Sequence, residues 1–475
     1  MSNVTVENVD PTLIDWDGPN DPENPQNWPK SRKFVNLALM SILTIISPLG
    51  SSMFAPGVPD LMTEFETDSS ILATFVVSIY FLGFAFGPLV VAPLSEIYGR
   101  VYVYHTGNIS FTVFSVGAAL SINVNMLMTF RFLMGVVGSV PTTIGVGSII
   151  DVMPLESRGR ALSIWALGPL LGPSLGPVIG GFLIERAGWR WVYWLLAILG
   201  GAFAVLALIV MRETYAPVLL QRKTQALREL TGDSTLRSKL DVHGSKRLKM
   251  ALIRPLKFLL ATPLVTIIAS YIGILYGTSY LLITTFSFVY AGQYGFGKGV
   301  IGLTFLPSGL GMMVGVLTFG HIQDFLVKRS KRNMQPGEVY RPEIKLTPWL
   351  TLPLSIIPPI GLLLYGWTTQ YKVFFIVPMI GVFLFSFSLS GLTMTVQNYQ
   401  MDSYPRYAAS ASAAVMLSRS LIGALMPLGG LKMYDTLGLG WGNSLLAFLS
   451  LALIPIPLLL FSFGERIRQR FDPVL

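Results

Sequence analysis

Residues 168–181 read GPLLGPSLGPVIGG, a sequence that does not fit an ordinary helix of a soluble protein. Glycine recurs at every fourth position, proline follows three of the glycines, and one more glycine ends the run. The residues are Gly168, Gly172, Gly176 and Gly180, then Pro169, Pro173 and Pro177, and last Gly181. On a helix the four spaced glycines form one smooth stripe. Because prolines and bare glycine faces survive in helices mainly inside a bilayer, the stretch predicts a membrane helix that packs closely on a neighbour.

The composition supports a membrane protein. The chain has 475 residues, of which 52% are hydrophobic and 12% are charged, too little polar surface for a soluble globule of this size. It has no cysteine and three scattered histidines, which excludes disulfides, thiol catalysis and a cysteine metal site and offers no metal constellation. The net charge of +9 forms no aromatic-interleaved basic patch, so nucleic acid is not an expected partner. No metal or cofactor is expected.

Twelve apolar runs are long enough to cross a bilayer, which takes about 20 residues each. We number them spans 1 to 12. They lie near residues 34–56, 72–93, 101–121, 126–150, 161–184, 190–211, 262–288, 299–322, 349–367, 373–398, 408–430 and 442–463.

The basic residues orient these spans. With both termini in the cytoplasm, 27 of the 34 lysines and arginines fall on the inner side and five on the outer side, as the positive-inside rule requires. The predicted organisation is an N-terminal tail, two six-helix bundles around a basic loop, and a C-terminal tail. Their ranges are 1–33, 34–211, 212–258, 259–463 and 464–475.

Two further patterns indicate that the halves repeat each other. The end of span 2, residues 92–100 (APLSEIYGR), shares its spacing of a small residue, an acid and a base with residues 320–329 (GHIQDFLVKR) at the end of span 8. Span 11 echoes the glycine and proline content of span 5. The fold class is therefore all-α and integral to the membrane, with twelve helices in two pseudo-symmetric bundles.

Several motifs carry a resemblance to a known family. Residues 92–100 resemble the loop 2–3 signature of the major facilitator superfamily, residues 131–135 (RFLMG) its span-4 signature, and residues 168–181 the antiporter signature of span 5. The tail between Trp16 and Trp28, residues 213–217 (ETYAP) and residues 418–421 (SRSL) are similar to fungal 12-span drug:proton antiporters. The resemblance covers nearly the whole chain and says little about substrate.

The resemblance implies a gate at the cytoplasmic side. Glu96 would face the start of span 11 near Ala408, where a helix N-terminus stabilises a carboxylate, and would hold the gate shut. Arg100 would pair with Asp151 at the inner end of span 4. A solvated acid at Glu96 and plain retention of Arg100 on the cytoplasmic side are the simpler alternatives. Asp324 is a further protonatable candidate, although none of these acids is a convincing proton carrier.

Two arginines lie within spans, where a cation costs several kcal/mol unless it is paired or hydrated. The resemblance makes Arg131 of span 4 the residue of proton coupling, with snorkelling to the outer surface as the alternative. Arg419 lies in the middle of span 11. Substrate contact and structural pairing are equally open interpretations for it.

The substrate cavity is expected between the halves, from spans 1, 4, 7 and 10. Tyr276, Tyr280 and Thr284 share one face of span 7, and Gln397 with Asn398 ends span 10. A polar and aromatic face suits amphiphilic organic molecules, while hydrogen bonding between helices is the alternative. No Asp or Glu lies near the middle of any span, which favours neutral or anionic substrates over cations.

These features predict a transporter and not an enzyme. It would export a small organic molecule, such as a drug, toxin, secondary metabolite or organic anion, by alternating access against inward proton flow. The alternatives are a facilitator or proton symporter for a nutrient, and a non-transporting membrane sensor. The expected form is a monomer in the plasma membrane, with the vacuolar membrane as the alternative.

The stripe is expected to serve this transport. By the resemblance, spans 5 and 8 meet across the halves, as do spans 2 and 11. Gly311 and Gly315 of span 8 should then approach the stripe, so that the halves rock closely without leaking protons. Simple helix packing is the alternative.

Overall fold

The computed structural model describes residues 12–240, 244–333, 341–404 and 407–471, and the twelve spans are all found within them. Spans 1 to 6 are the helices Lys30–Ser52, Ser70–Ile97, Arg100–Ala119, Val124–Gly138 continued by Val140–Val152, Leu155–Ala187 and Arg190–Val210. Spans 7 to 10 are Pro263–Tyr294, Lys298–Leu303 continued by Leu306–Asn333, Pro348–Gln370 and Ile376–Ser403. Span 11 is the helix Ala408–Leu425, which the 3-10 helix Met426–Gly429 extends. The next helix, Gly430–Ala452, contains the start of span 12, and the helix Pro455–Arg470 completes that span.

The last two spans follow each other with almost no intervening chain, and a turn at one glycine separates them. Ten helical segments of the described chain are long and apolar enough to cross a membrane, and the last of these, Ser410–Arg470, is 61 residues long. Gly438 within it has φ 75° and ψ 169°, a left-handed conformation that glycine adopts without strain, so the chain turns there and span 12 begins. Span 3 is the span that these ten segments do not include, because polar residues such as His105 and Asn108 lower its mean hydropathy.

Local chemistry sets where several helices begin and end. The Ser69 hydroxyl accepts a hydrogen bond from the backbone N–H of Leu72 (3.3 Å) and so caps the start of span 2. Asn123 caps span 4 in the same way through the N–H of Met126 (2.8 Å). Gly295, at φ 67°, ends span 7 in the left-handed conformation typical of a helix C-terminus.

The packing repeats between the halves, which confirms the predicted fold class. In the N-terminal half span 1 packs on span 5, span 2 on span 4, and span 3 on span 6. In the C-terminal half the same three pairs recur six spans later, as 7 with 11, 8 with 10, and 9 with 12. The halves meet through spans 2 and 11 and through spans 5 and 8, and each of these pairs maps onto the other under the same pseudo-symmetry.

The predicted cytoplasmic loop contains structure that the sequence did not indicate. It holds the helices Ala216–Thr231 and Gly244–Ala261 and a two-residue strand, Arg237–Ser238. That strand pairs in parallel with Leu13–Ile14 of the N-terminal tail. The tail therefore packs against the loop.

Lys223 fastens the tail to this loop. Its ammonium lies 2.8 Å from the Asp17 carboxylate and 3.3 Å from that of Asp21. Hydrogen bonds from the backbone N–H groups of Asp17 and Glu23, together with Lys223, lower the pKa of Asp21 below its usual value although burial opposes the shift. Asp21 therefore stays ionised at neutral pH and holds Lys223.

Candidate functional site

Arg131 lies in the interior of the N-terminal half and is fully buried. Its guanidinium donates to the Tyr193 hydroxyl (2.9 Å) of span 6 and to the backbone carbonyls of Ser51 (3.0 Å) and Val77 (3.2 Å). Ser51 lies in the last turn of span 1, where helix carbonyls lack helical partners, so the arginine caps that end. Three aromatic rings also lie within 6 Å of the guanidinium carbon, those of Phe54, Tyr80 and Tyr193.

These contacts exclude the snorkelling alternative for Arg131, because a fully buried side chain does not reach the outer surface. An arginine also keeps its proton in proteins. Any part it plays in proton coupling must act through another group, and no acid pairs with it in the described part of the chain. Tyr193, which sequence reasoning missed, is a specific partner of Arg131.

The glycine stripe of span 5 packs against span 1, in its own half. A Cβ on Gly172 would lie 2.5 Å from Pro48 Cβ, and one on Gly180 only 1.9 Å from the carbonyl oxygen of Met53. Gly168 and Gly176 face span 1 as well. The expectation that Gly311 and Gly315 of span 8 approach this stripe is therefore wrong.

Gly311 and Gly315 pack on span 10 instead. Cβ atoms there would lie 2.5 Å from the carbonyl oxygens of Phe383 and Phe387, respectively. The physical reason is helix rotation: on a helix with 3.6 residues per turn, the stripe can be directed at only one neighbour, and span 1 occupies it.

Spans 5 and 8 do meet, as predicted, through the face next to the stripe. A Cβ on Gly302 would lie 2.4 Å from the Pro177 carbonyl oxygen, and one on Gly181 would lie 2.4 Å from that of Lys298. Further inward, a Cβ on Gly309 would lie 2.1 Å from the Ser174 hydroxyl. These approaches lie in the outer half of span 5 and join the two halves of the protein.

Polar contacts reinforce this outer closure. The Lys298 ammonium of span 8 lies 2.6 Å from the Asp60 carboxylate, which follows span 1. The backbone N–H of Gly299 donates to Glu185 at the end of span 5 (3.2 Å). The outer ends of the halves are thus held together by charge, hydrogen bonds and close backbone packing. No pattern in the sequence indicated that Lys298 and Asp60 pair.

At the opposite end, which the basic residues predict to be cytoplasmic, the predicted pair of Arg100 and Asp151 is present. The Arg100 Nε lies 3.3 Å from the Asp151 carboxylate, and both side chains are mostly buried. Arg100 also donates to the Ser95 hydroxyl (2.7 Å) and stacks over the Tyr215 ring at 4.5 Å. The pair joins the start of span 3 to the end of span 4 within one half.

Glu213, after span 6, completes this cluster. Its carboxylate accepts from the backbone N–H of Arg100 (3.0 Å) and Val101 (3.2 Å), the first residues of span 3. It also accepts from the N–H groups of Thr214 and Tyr215, each at 2.9 Å. A carboxylate at a helix N-terminus is stabilised by these donors and by the helix dipole. The sequence signal was the ETYAP motif, to which we had assigned no structural role.

Glu96 and Asp324 are placed differently from that cluster. Glu96 is half-buried, and no hydrogen bond or ion pair joins it to the part of the chain that the structure describes. Asp324 is exposed at the cytoplasmic end of span 8. In this conformation the outer ends are joined, and Glu96 makes no latch contact with a described side chain.

The C-terminal half has its own cytoplasmic charge cluster, which sequence reasoning missed. Lys345, just before span 9, pairs with Asp402 at the end of span 10 (2.7 Å). The Glu343 carboxylate lies 3.5 Å from the Arg468 guanidinium, in the last turn of span 12. These groups occupy the positions that Arg100, Asp151 and the end of span 6 hold in the other half.

The middle of span 11 holds a cation on an aromatic face next to the boundary between the halves. The Arg419 guanidinium of span 11 lies 4.9 Å from the centre of the Tyr276 ring of span 7. Tyr276 is 6.2 Å from Tyr280, whose ring lies 3.8 Å from that of Phe81 in span 2. Arg419, Tyr276 and Tyr280 are all half-buried. These side chains form a polar and aromatic track from one half to the other.

The other three candidate binding residues have mixed positions. Thr284 is buried and its hydroxyl donates to the Leu281 carbonyl (3.0 Å), so it satisfies its own helix. Asn398 donates to Gln323 of span 8 (2.6 Å), which supports the alternative of hydrogen bonding between helices. Gln397 is half-buried. No group of three or more metal-ligating side chains occurs among the described residues.

Comparison with known proteins supports these observations. The sequence model of the Major Facilitator Superfamily matches residues 40–427. The chain is 48% identical over 465 residues to a Floropilus chiversii protein described as Efflux pump radE, covering 98% of this chain and 86% of that protein. It is 47% identical over 467 residues to the MFS-type transporter tndD of Aspergillus flavipes, with coverages of 98% and 86%.

Solved structures share the fold at low sequence identity. A bacterial homologue of the human lysosomal transporter Spinster, in an inward-facing and unoccupied conformation, has a TM-score of 0.62 at 14% identity, covering 94% of this chain and 98% of that one. A peptide transporter in complex with sulfate has a TM-score of 0.66 at 13% identity, with coverages of 92% and 96%.

Proposed function

The chain belongs to the major facilitator superfamily, and from that premise we propose that this transporter exports a small organic molecule by alternating access. The observation that carries the proposal is the half-buried Arg419 on Tyr276, at mid-membrane and next to the boundary of two halves that are joined at their outer ends. The efflux pump named among its relatives supports the outward direction. A drug, a toxin, a secondary metabolite or an organic anion are the substrate types we consider.

Alternating access requires the outer contacts to break while cytoplasmic contacts form. The pair of Lys298 and Asp60 and the approach of Gly302 to span 5 would open to release substrate. Glu96 would then reach the N-terminus of span 11 and close the cytoplasmic side. The clusters around Arg100 and Lys345 stay within their own halves and keep each half rigid during this movement.

Proton antiport is the coupling we propose. The acids available to it lie at the cytoplasmic side, and Asp151 is the best placed, because protonation there would release Arg100 from its partner. Asp324 and Glu96 are further sites from which protons could reach the gate. Arg131 would hold spans 1, 2 and 6 in register during the cycle.

The proposed setting is the plasma membrane, with the vacuolar membrane as the alternative, a monomer, and both termini in the cytoplasm. The excess of basic residues on the inner segments supports this orientation. Epitope tags at either terminus should be reached by antibodies only after the cells are permeabilised.

The test is transport itself. An untargeted comparison of culture medium from strains with and without the gene should reveal compounds that depend on it, and inverted vesicles should take these compounds up. A protonophore should reduce that uptake. Uptake that ignores the proton gradient would reject antiport, and accumulation in the opposite direction would favour the nutrient symporter.

Replacing Glu96 with Gln tests the latch. This change removes the charge that the helix N-terminus would stabilise, so transport should fall several-fold while surface expression stays the same. Glu229→Gln, the same change at an exposed acid of the helix Ala216–Thr231, is the control and should leave transport unchanged. Unchanged transport in the Glu96 variant would return that residue to the simpler interpretation of a solvated acid.

A further inference from the structure

The two arginines inside the membrane differ in how their charge is satisfied. Arg131 gives hydrogen bonds to one hydroxyl and two carbonyls and is fully buried. Arg419 rests one face on Tyr276 and makes no hydrogen bond or ion pair with the described chain. A guanidinium has five N–H donors. The two terminal nitrogens of Arg131 make three hydrogen bonds, although its buried Nε has no acceptor among the described residues, whereas none of the nitrogens of Arg419 has an acceptor there.

Arg419 also lies far from any acid of its own span. It follows the start of span 11 at Ala408 by eleven residues, which at 1.5 Å per residue is about 16 Å, close to the middle of the hydrocarbon core. The nearest acids along the chain are Asp402 and Asp435. Asp402 is already paired with Lys345. A cation at this depth is costly without a partner, which marks it as a binding group.

The surroundings of Arg419 specify more than charge. The rings of Tyr276, Tyr280 and Phe81 continue from the guanidinium toward span 2. Flat apolar groups pack well on such faces. A ligand that satisfies both features has an anionic group at one end and an aromatic or conjugated body.

We propose that the substrate is an amphiphilic aromatic anion. Its carboxylate, sulfonate, enolate or phenolate would accept hydrogen bonds from Arg419, and its body would lie along Tyr276 and Tyr280. The assignment rests on the proposed transport function and adds its substrate class. Arg419 is then the counter-charge for the anion, whereas no acid near the middle of a span could pair with a cationic substrate. Substrate binding neutralises the charge of Arg419 during translocation.

The experiment uses purified protein in vesicles of zwitterionic lipid and three probes of similar shape. They are 2-naphthalenesulfonate, which is a permanent anion, its neutral sulfonamide, and a naphthyl trimethylammonium cation. Wild type should carry the sulfonate best. Arg419→Gln should reduce its transport about 10- to 100-fold, because a charged hydrogen bond contributes about 1.5–3 kcal/mol. Arg419→Lys should keep part of the rate, and sulfonamide transport should change little.

Arg466→Gln serves as the matched control, because it removes an exposed arginine at the cytoplasmic end of span 12. It should leave sulfonate transport unchanged. An equal loss for all three probes in Arg419→Gln would show a structural role and overturn the proposal. So would a preference for the cation in wild type.

The assay also separates this inference from the proposed function. If the culture-medium comparison identifies an exported compound and none of the three probes is carried, the substrate class is wrong while the transport function stands. If no compound depends on the gene and no probe moves, the transport function itself fails. Anionic lipid added to the vesicles should not compete with the sulfonate, and competition would assign the site to a lipid headgroup.

Discussion

The two ends of this transporter, which we assign to the outer and cytoplasmic sides, use charge in different ways. At the outer end the pair of Lys298 and Asp60 joins one half to the other. At the cytoplasmic end Arg100 with Asp151, and Lys345 with Asp402, each join residues of the same half. Contacts between halves must break during alternating access, whereas contacts within a half must persist. The comparison separates residues that set the conformational equilibrium from residues that hold each half together.

The same distinction divides the glycines of span 5 and span 8, and it gives the largest expected effect. Gly180→Ala would place a Cβ 1.9 Å from the Met53 carbonyl oxygen inside the N-terminal half. Overpacking against backbone should cost about 3 kcal/mol, so the melting temperature and the amount of folded protein should fall. Fluorescence size-exclusion and thermal denaturation in detergent measure both quantities.

Gly302→Ala is the matched variant between the halves. Its Cβ would lie 2.4 Å from the Pro177 carbonyl oxygen, across the interface. The melting temperature should fall less, and transport should fall because the outer ends cannot close fully. Gly292→Ala, where nothing lies within 4 Å, is the control. If Gly180→Ala lowered transport but not stability, the stripe would belong to the gate.

A covalent link in place of the outer pair should stop transport without unfolding either half. The sequence contains no cysteine, so Asp60→Cys with Lys298→Cys can be made directly in the natural chain. A short bis-maleimide should join the two cysteines, lock the outer ends, and abolish transport. Each single variant should keep activity after treatment.

The milder form of this test removes the charge alone. Lys298→Gln should raise the labelling of cysteines placed on the outer part of span 8. A partly exposed pair contributes about 1 kcal/mol or less, which changes the ratio of closed to open protein by at most about fivefold. Equal labelling in wild type and variant would mean that backbone packing, and not charge, keeps the outer end closed.

The sequence predicted the parts of this structure that depend on local chemistry. The twelve spans follow from apolar runs of about 20 residues. The pairing of Arg100 with Asp151 came from the family resemblance of residues 92–100, beside the alternative of plain retention on the cytoplasmic side. The neighbour of the glycine stripe did not follow, because it depends on the rotation of span 5 about its axis. The partners Lys298 and Asp60 are 238 residues apart, and no local pattern relates such positions.

The cytoplasmic cluster around Glu213 should respond in stability and not in conformational equilibrium. Glu213→Gln replaces one acceptor oxygen with an amide group that donates, while four backbone N–H groups point at the carboxylate. The loss of charged hydrogen bonds should lower stability by about 1–3 kcal/mol. Thermal denaturation measures this change.

Glu229→Gln is the control for that variant, since Glu229 is exposed on the helix Ala216–Thr231. Its melting temperature should match wild type. Cysteine labelling at the outer end should be the same in both variants. A change in outer labelling with Glu213→Gln would contradict the assignment of this cluster to a single half.

The smallest effect is expected where the tail meets the cytoplasmic loop. Burial alone would lower the pKa of Lys223, but its hydrogen bonds to Asp17 and Asp21 raise that pKa above the usual 10.5. The pKa of Asp21 is lowered from 3.8. The lysine's contribution is complete below pH 10.5 and is lost as the pH rises through its higher folded pKa. The contribution of Asp21 is present above pH 3.8 and is lost as the pH falls through its lower folded pKa.

The attachment of the tail should therefore be constant between about pH 5 and 9. Lys223→Met should make residues 12–28 more sensitive to limited proteolysis. It should leave transport unchanged, since the ion pairs that it removes join the tail to the helix Ala216–Thr231 and not to a span. Lys239→Met, which removes the more exposed pair with Asp15, should have a weaker effect. Because each of these contacts joins the tail only to the first part of the loop, a loss of transport in Lys223→Met would mean that the tail takes part in the movement of the halves.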